Sequence, residues 1–311
     1  MVPDVTIVTP FRDPGSCFEL ALKSVFAQTL TNWELILIDD GSRDESLSFA
    51  RSLRDPRVRV FSDGRRRRQQ VRRNEAIALA SAPYIALMDA DDIMHPRRLE
   101  RQLAEFERQR RPMVLGSTAF SIDGDNHLLG LRRPLAKWRP GAYESRGAFL
   151  NPTVMAPTSW FRANPYSEDL VFYRSEDAEL WCRTSGATDF VNLEDALMFY
   201  REQRRVNLAN YLGSSMGLCI LLRRRYAKPR YQFLKLLSVE IAKVWIAIVA
   251  ETFGASSALV RRRSQLIRPA VREEALRILS QIRGVELPLL PNEATSVSAR
   301  TRSVVGGQRA I

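Results

Sequence analysis

Tyr84-Ile85-Ala86-Leu87-Met88 runs straight into Asp89-Ala90-Asp91-Asp92, and this junction decides the fold. The first five residues are a short apolar run of the kind that forms a buried strand. The acids that follow sit at its carboxyl end. Two unit charges about 4 Å apart repel by roughly 4 kcal/mol at an effective dielectric of 20. Such a cluster calls for a cation. Hard carboxylate oxygens select Mg²⁺ or Mn²⁺, and these ions usually bring phosphates with them. A solvated acidic turn is the alternative, and the flanking sequence decides between them.

Upstream, Val5–Thr9 is short and β-branched and reads as a first strand, ending at Thr9-Pro10-Phe11. Glu34–Ile38 reads as a second strand, ending at Asp39-Asp40-Gly41, and Val58–Phe61 as a third. Ser16 to Glu19 and Ser42 to Glu45 both have capping-box spacing ahead of helical patterns. Asn74–Ala80 looks helical, Pro96 suits the first turn of a helix through residues 97–109, and Met113–Ser117 reads as a fifth strand. Strands separated by helices imply a parallel sheet with right-handed crossovers. Ligands of such sheets bind beyond the carboxyl ends of the strands, so residues about fifty apart line one site. From residue 118 to 203 the alternation breaks down into short apolar runs with Gly and Pro, which predicts irregular strands and loops.

The chain has 311 residues, 45% of them apolar, and a net charge of +12, which favours acidic partners. Cys17, Cys182 and Cys219 show neither disulfide nor metal spacing and point to a reducing, cytoplasmic setting. The first residues do not read as a secretory leader, and no apolar window is long enough to span a bilayer. With only His95 and His127, histidine chemistry is disfavoured.

The ordered set of residues 5–13, 21–46, 72–77, 84–103 and 175–183 resembles the inverting glycosyltransferases of family 2. The resemblance implies an α/β fold of GT-A type, a Rossmann-like, mostly parallel sheet flanked by helices, here with a helical C-terminal extension. Residues 1–204 would form the catalytic domain, with a nucleotide-binding half to about 117 and an acceptor half from 118. A basic helical region would cover 205–284 and a flexible tail 285–311. The donor would be a nucleoside-diphosphate sugar, UDP- or dTDP-linked, and the acceptor a glycan or lipid-linked glycan.

By the same resemblance Asp40 recognises the base, a carboxylate accepting from an imide N–H, while Asp39 supports the loop. Thr9 and Phe11 line the base pocket, with Phe11 packing on the base or belonging to the core. Asp91 binds Mn²⁺ or Mg²⁺ at the diphosphate and Asp89 contacts ribose or metal. Arg73 approaches the diphosphate. Glu176 and Asp177 form the catalytic acidic pair, with Asp177 as general base. Trp181 is a wall for acceptor or sugar, or core. Two features depart from the family. The run Arg65–Arg68 replaces small residues before the Arg73–Asn74 pair, and Gln203 stands at a usual His position, where Arg201, Arg204 or Arg205 would compensate.

Residues 204–273 hold fourteen Lys or Arg against three acids. This predicts attachment of basic helices to an anionic membrane surface, with a solvated cap or homo-oligomer interface as alternatives. Rival functions are a sugar-phosphate nucleotidyltransferase, a basic nucleic-acid-binding protein and an inactive scaffold. The first would want a Gly-rich phosphate loop after the first strand, which Thr9–Ser16 does not resemble. No nucleic-acid module is recognisable and no nucleic-acid partner is expected. The intact acidic pairs oppose the third.

Overall fold

The computed structural model describes residues 2–109, 113–134, 148–202, 208–225, 230–254 and 264–290. Four strands, β1 (Val5–Phe11), β2 (Trp33–Asp39), β3 (Val58–Phe61) and β4 (Tyr84–Leu87), pair in parallel in the order β3-β2-β1-β4. Helices α1 (Cys17–Phe26), α2 (Ser46–Ser52) and α3 (Gln69–Leu79) connect them. Side chains alternate across the strands. Ile7, Leu35 and Leu37 pack with α1, α2 and α4 (Arg98–Gln109) on one face. Val8, Ile36, Ile38 and Leu87 pack with α3 on the other. Both faces are thus covered, as a parallel sheet requires.

Beyond β4 the sheet continues with mixed polarity through β8 (Met155–Pro157), β6 (Met113–Ile122), β9 (Asp189–Arg201) and β5 (Ile93–Met94), with β7 (Leu128–Arg132) on β6. Residues 118–203, expected to be irregular, therefore include a 13-residue strand that pairs along most of β6. Helices α5 (Thr158–Ala163) and α6 (Glu176–Thr184) follow β8 on the face covered by α3. Then come α7 (Leu208–Arg225), α8 (Arg230–Thr252) and α9 (Pro269–Arg283). Helix α9 returns to the sheet, burying Ala275, Leu279 and Ile282 against Ile93, Phe120 and Phe199. Residues 285–290, expected to open a flexible tail, are also packed: Leu289 bridges to Leu53 and Leu290 N–H donates to Ser52 at 3.1 Å.

Neither capping box forms. Ser16 has helical backbone angles and makes no side-chain cap; α2 begins only at Ser46, and the Ser42 hydroxyl accepts from Asp13 N–H at 3.1 Å. Trp181 resolves as core. It is 4% exposed and meets Phe149, Phe190 and Trp160 at ring distances of 5.0, 5.9 and 6.1 Å. Trp181→Ala is expected to lower unfolding free energy by about 3–5 kcal/mol, read by chemical denaturation. A wall for sugar would leave stability unchanged and raise the acceptor KM.

Candidate active site

The carboxyl ends of β1, β2 and β4, the start of α6, the end of β9 and one side of α7 enclose a cavity of about 910 Å³. The register places Phe11 beside Asp39, and Met88 N–H donates to Val8 at 3.0 Å, so three strand ends open at one edge. Phe11, Asp40, Asp89, Asp91 and Glu176 face the cavity. Phe11 is nonetheless 2% exposed, with its ring stacked on Phe18 at 4.9 Å, so its bulk belongs to the core. Thr9, Asp39, Arg73 and Asp177 stand behind the lining residues. Thr9 is buried in β1 and its hydroxyl has no hydrogen-bond partner among the described residues.

Asp39 and Asp40 divide their labour. Asp39 accepts from Ser42 N–H at 2.9 Å and from the Ser62 hydroxyl at 2.8 Å, which fixes the loop. Gly41 follows with φ of 73°, and a Cβ there would lie 3.2 Å from the backbone of Arg65 and Arg66. Only glycine suits both constraints. Asp40 Oδ1 accepts from the N–H groups of Arg67 and Arg68 at 2.6 and 2.9 Å, while Oδ2 has no hydrogen-bond partner among the described residues. Arg72, 3% exposed, donates to Asp40, Asp63 and Glu75 and locks this loop. The arginine run is thereby ordered: Arg67 pairs with Glu75, and Arg68 lies 4.7 Å from the Tyr173 ring, on the cavity wall with Arg66.

The Asp89–Asp92 turn is braced from β9. Arg201 N–H donates to Asp92 Oδ1 at 2.8 Å, and its guanidinium donates to the carbonyls of Asp91 and Asp123 and to Asn126 Oδ1, each at 2.7 Å. These bonds commit the Arg201 side chain to holding the turn. Asp89 Oδ1 accepts from Arg73 at 2.7 Å and Gln69 at 3.0 Å. The Asp91 carboxylate remains open to the cavity and hydrogen-bonds no other described residue, whereas Asp92 is buried with Oδ2 unpartnered among the described residues. Among the described residues Asp89, Asp91 and Asp92 do not bring one oxygen each together; the group that does, Asp123, Asp125 and His127, lies in an exposed turn. A site of one or two carboxylates still fits Mg²⁺ or Mn²⁺, which take their remaining ligands from water and substrate phosphates.

Desolvation and the Asp89 carboxylate push Asp91 up to about 6, and burial raises Asp92 as well. Without metal, the folded state holds the Asp91 proton more tightly than the unfolded chain does. That contribution to stability is complete below the ordinary carboxylate range and is lost as pH rises through about 6. A bound cation must displace the same proton. The Tm gain from Mn²⁺ plus nucleotide is therefore expected to be full well above pH of about 6 and to fade below it, read by thermal shift across a pH series.

Arg73 is buried between the two acidic groups. It bonds Asp89 at 2.7 Å and approaches Glu176 to 3.8 Å, while its guanidinium lies 5.5 Å from the Tyr166 ring. It thus links β4 to α6 from behind the cavity. Asn74 holds the same region by exchanging hydrogen bonds with the Tyr166 backbone, at 2.9 Å each way. Burial and the Asp177 carboxylate raise the Glu176 pKa against the pull of Arg73. Burial raises Asp177 also, partly offset by its bond from Ala178 N–H at 2.8 Å. A raised carboxylate is a stronger base toward a hydroxyl. Helix α7 closes this side with Asn210, Tyr211 and Ser214. Gly217 permits the approach, since a Cβ there would sit 2.2 Å from Ser175 Oγ.

Gln203, Arg204 and Arg205 lie outside the described residues. Arg72 and the α7 side chains are site groups that the motifs do not mark, and Arg201, expected to compensate for Gln203, instead braces the acidic turn. Arg72 was visible only as the neighbour of Arg73, and α7 carries no motif.

Acidic residues at the strand ends of such a sheet, around one large cavity, define a GT-A glycosyltransferase fold. The sequence profile of Glycosyl transferase family 2 matches residues 6–167, and the chain belongs to that family. It is 30% identical over 206 residues to the putative glycosyltransferase EpsE of Bacillus subtilis, covering 64% of this chain and 73% of that one. It is 28% identical to the UDP-Glc:alpha-D-GlcNAc-diphosphoundecaprenol beta-1,3-glucosyltransferase WfgD of Escherichia coli, over 40% of this chain and 49% of that one. Among solved structures, S. aureus TarS 1-349 in complex with UDP superposes with a TM-score of 0.54 at 15% identity, covering 75% of this chain and 70% of that one. The mannosyltransferase PcManGT of Pyrobaculum calidifontis, in complex with GDP-Man and Mn²⁺, gives 0.51 at 15% identity, covering 89% and 80%. No helix among the described residues is long and apolar enough to cross a membrane.

Proposed function

We propose that this glycosyltransferase moves a sugar from a UDP- or dTDP-linked donor to a hydroxyl of a glycan or lipid-linked glycan, with inversion at the anomeric carbon. The observation that carries this reading is the meeting of Asp40, Asp89, Asp91 and Glu176 around one cavity, with Asp177 next to Glu176 at the start of α6. Asp40 Oδ2 is free to accept from a base N–H. Asp91, with Asp89, would hold Mn²⁺ or Mg²⁺ at the diphosphate, where the ion offsets charge on the departing nucleoside diphosphate. Arg73 keeps Asp89 and Glu176 in register from behind.

Asp177 receives the proton of the acceptor hydroxyl. The hydroxyl oxygen bonds to the anomeric carbon as the carbon–oxygen bond to the diphosphate breaks on the opposite face. One displacement inverts the configuration. TarS, solved with UDP, and the UDP-glucose-dependent WfgD support a uridine donor, and the diphosphoundecaprenol acceptor in the name of WfgD supports a lipid-linked one.

Slow hydrolysis of the donor, with water as acceptor, tests the stereochemistry without knowledge of the natural acceptor. Proton NMR of UDP-α-glucose with enzyme and Mn²⁺ should show β-glucose first. An α-product would rule out the single displacement. Formation of UTP and glucose-1-phosphate from UDP-glucose and added pyrophosphate would instead support the nucleotidyltransferase reading.

A further inference from the structure

We propose that the outward face of α8 seats this protein on an anionic lipid surface, with its apolar side chains entering the headgroup layer. The charge pattern of the sequence predicts attachment through a basic face. The structure instead turns apolar groups outward. Tyr231, Leu234, Ile241, Trp245 and Val249 recur three, four or seven residues apart on one side of the helix and form one stripe, interrupted by the exposed Ser238 and continued by Phe253 just past the helix end. Tyr231, Trp245 and Phe253 are 68%, 63% and 80% exposed. The helix has 23 residues and is about 34 Å long, so the stripe is far larger than a scatter of surface apolar residues. On α7, Leu212 and Met216 are also exposed.

The charges identify the occupant. Helix α8 carries two acids, and both turn away from the stripe. Glu240 is 2% exposed and pairs with Lys243 at 2.6 Å, and Glu251 Oε2 is buried. Lys235 is exposed beside Leu234, and Arg223 is exposed on α7. An apolar stripe with aromatic side chains, flanking cations and no outward acid matches a helix lying in an anionic interface, where lysine extends its ammonium to the headgroups. A second copy of the chain suits this face less well. It would cover Lys235 with a stripe that offers no acid to pair with it. Helix α7 packs on α8 and lines the catalytic cavity with Asn210, Tyr211 and Ser214, so docking would bring the cavity to the lipid surface. The inference does not depend on which sugar is transferred.

The test is flotation of the full chain with vesicles of phosphatidylglycerol and phosphatidylcholine, at low and high salt, alongside the double variant Ile241→Ser, Trp245→Gln. Both side chains are exposed, so the variant should keep the wild-type Tm and nucleotide binding. The wild type should bind, stay largely bound at high salt and shift its tryptophan emission to the blue. The variant should partition more weakly, on the order of tenfold or more. Absence of binding would overturn the proposal. So would complete release by salt with the variant binding like the wild type, which would show adsorption through the basic residues alone. A wild-type dimer that the variant dissolves would assign the face to a second copy and overturn it too.

Discussion

Asp91→Asn is expected to reduce transfer about a thousandfold, because a metal contributes several kcal/mol to the charge developing on the leaving diphosphate. The change is nearly isosteric. It removes the one carboxylate of the Asp89–Asp92 turn that is open to the cavity and accepts no hydrogen bond from another described residue. The turn itself should survive, since Arg201 holds it through the Asp91 carbonyl and the Asp92 carboxylate, not through the Asp91 side chain. Relief of the repulsion from Asp89 should leave the metal-free protein at least as stable as the wild type above pH of about 6. Initial rates with saturating Mn²⁺ and thermal melts without it read the two effects separately. Lost activity with a lowered Tm would mean that the variant had damaged the fold.

Asp177→Asn is expected to lower kcat by about 10²–10⁴-fold while donor affinity stays constant, the signature of a base acting only in the transition state. Glu176→Gln is its necessary companion, because Glu176 rather than Asp177 faces the cavity. Glu176 stands against Arg73, which also holds Asp89, so its loss should weaken donor binding as well as turnover. Steady-state kinetics and donor calorimetry on both variants distinguish the roles. A mild Asp177→Asn beside a dead Glu176→Gln would transfer the base to Glu176.

The half of the fold built on β1 to β4 was legible in the sequence because its strands are short, apolar and bounded by turn acids. Val58–Phe61 appears with the same ends in both. What was hidden depends on distant partners. Strand β9 interrupts its apolar residues with Glu194 and Asp195, and its register against β6 shifts at Ser117–Thr118, so no alternation shows. Helix α3 starts at Gln69, five residues before the expected Asn74, inside an arginine-rich stretch whose charges are matched by Asp40, by Asp63 and by Glu75 of the helix itself. The acidic pairs were readable as motifs. Which member faces the cavity was not, since that depends on Arg73 joining β4 to α6. Arg201 read as a substitute for the histidine that Gln203 replaces, yet its side-chain donors go to backbone carbonyls and to Asn126, a role that only the pairing of β9 reveals.

In the proposed mechanism a divalent ion on Asp91 completes the nucleotide site. The measurement that meets it most directly is a thermal-shift panel of UDP, dTDP, GDP and CMP, each with and without Mn²⁺, on wild type and Asp91→Asn. One nucleotide, UDP or dTDP, should raise the wild-type Tm only when Mn²⁺ is present, and should leave the variant unmoved. A nucleotide that stabilises both proteins equally, with or without the metal, would contradict the account.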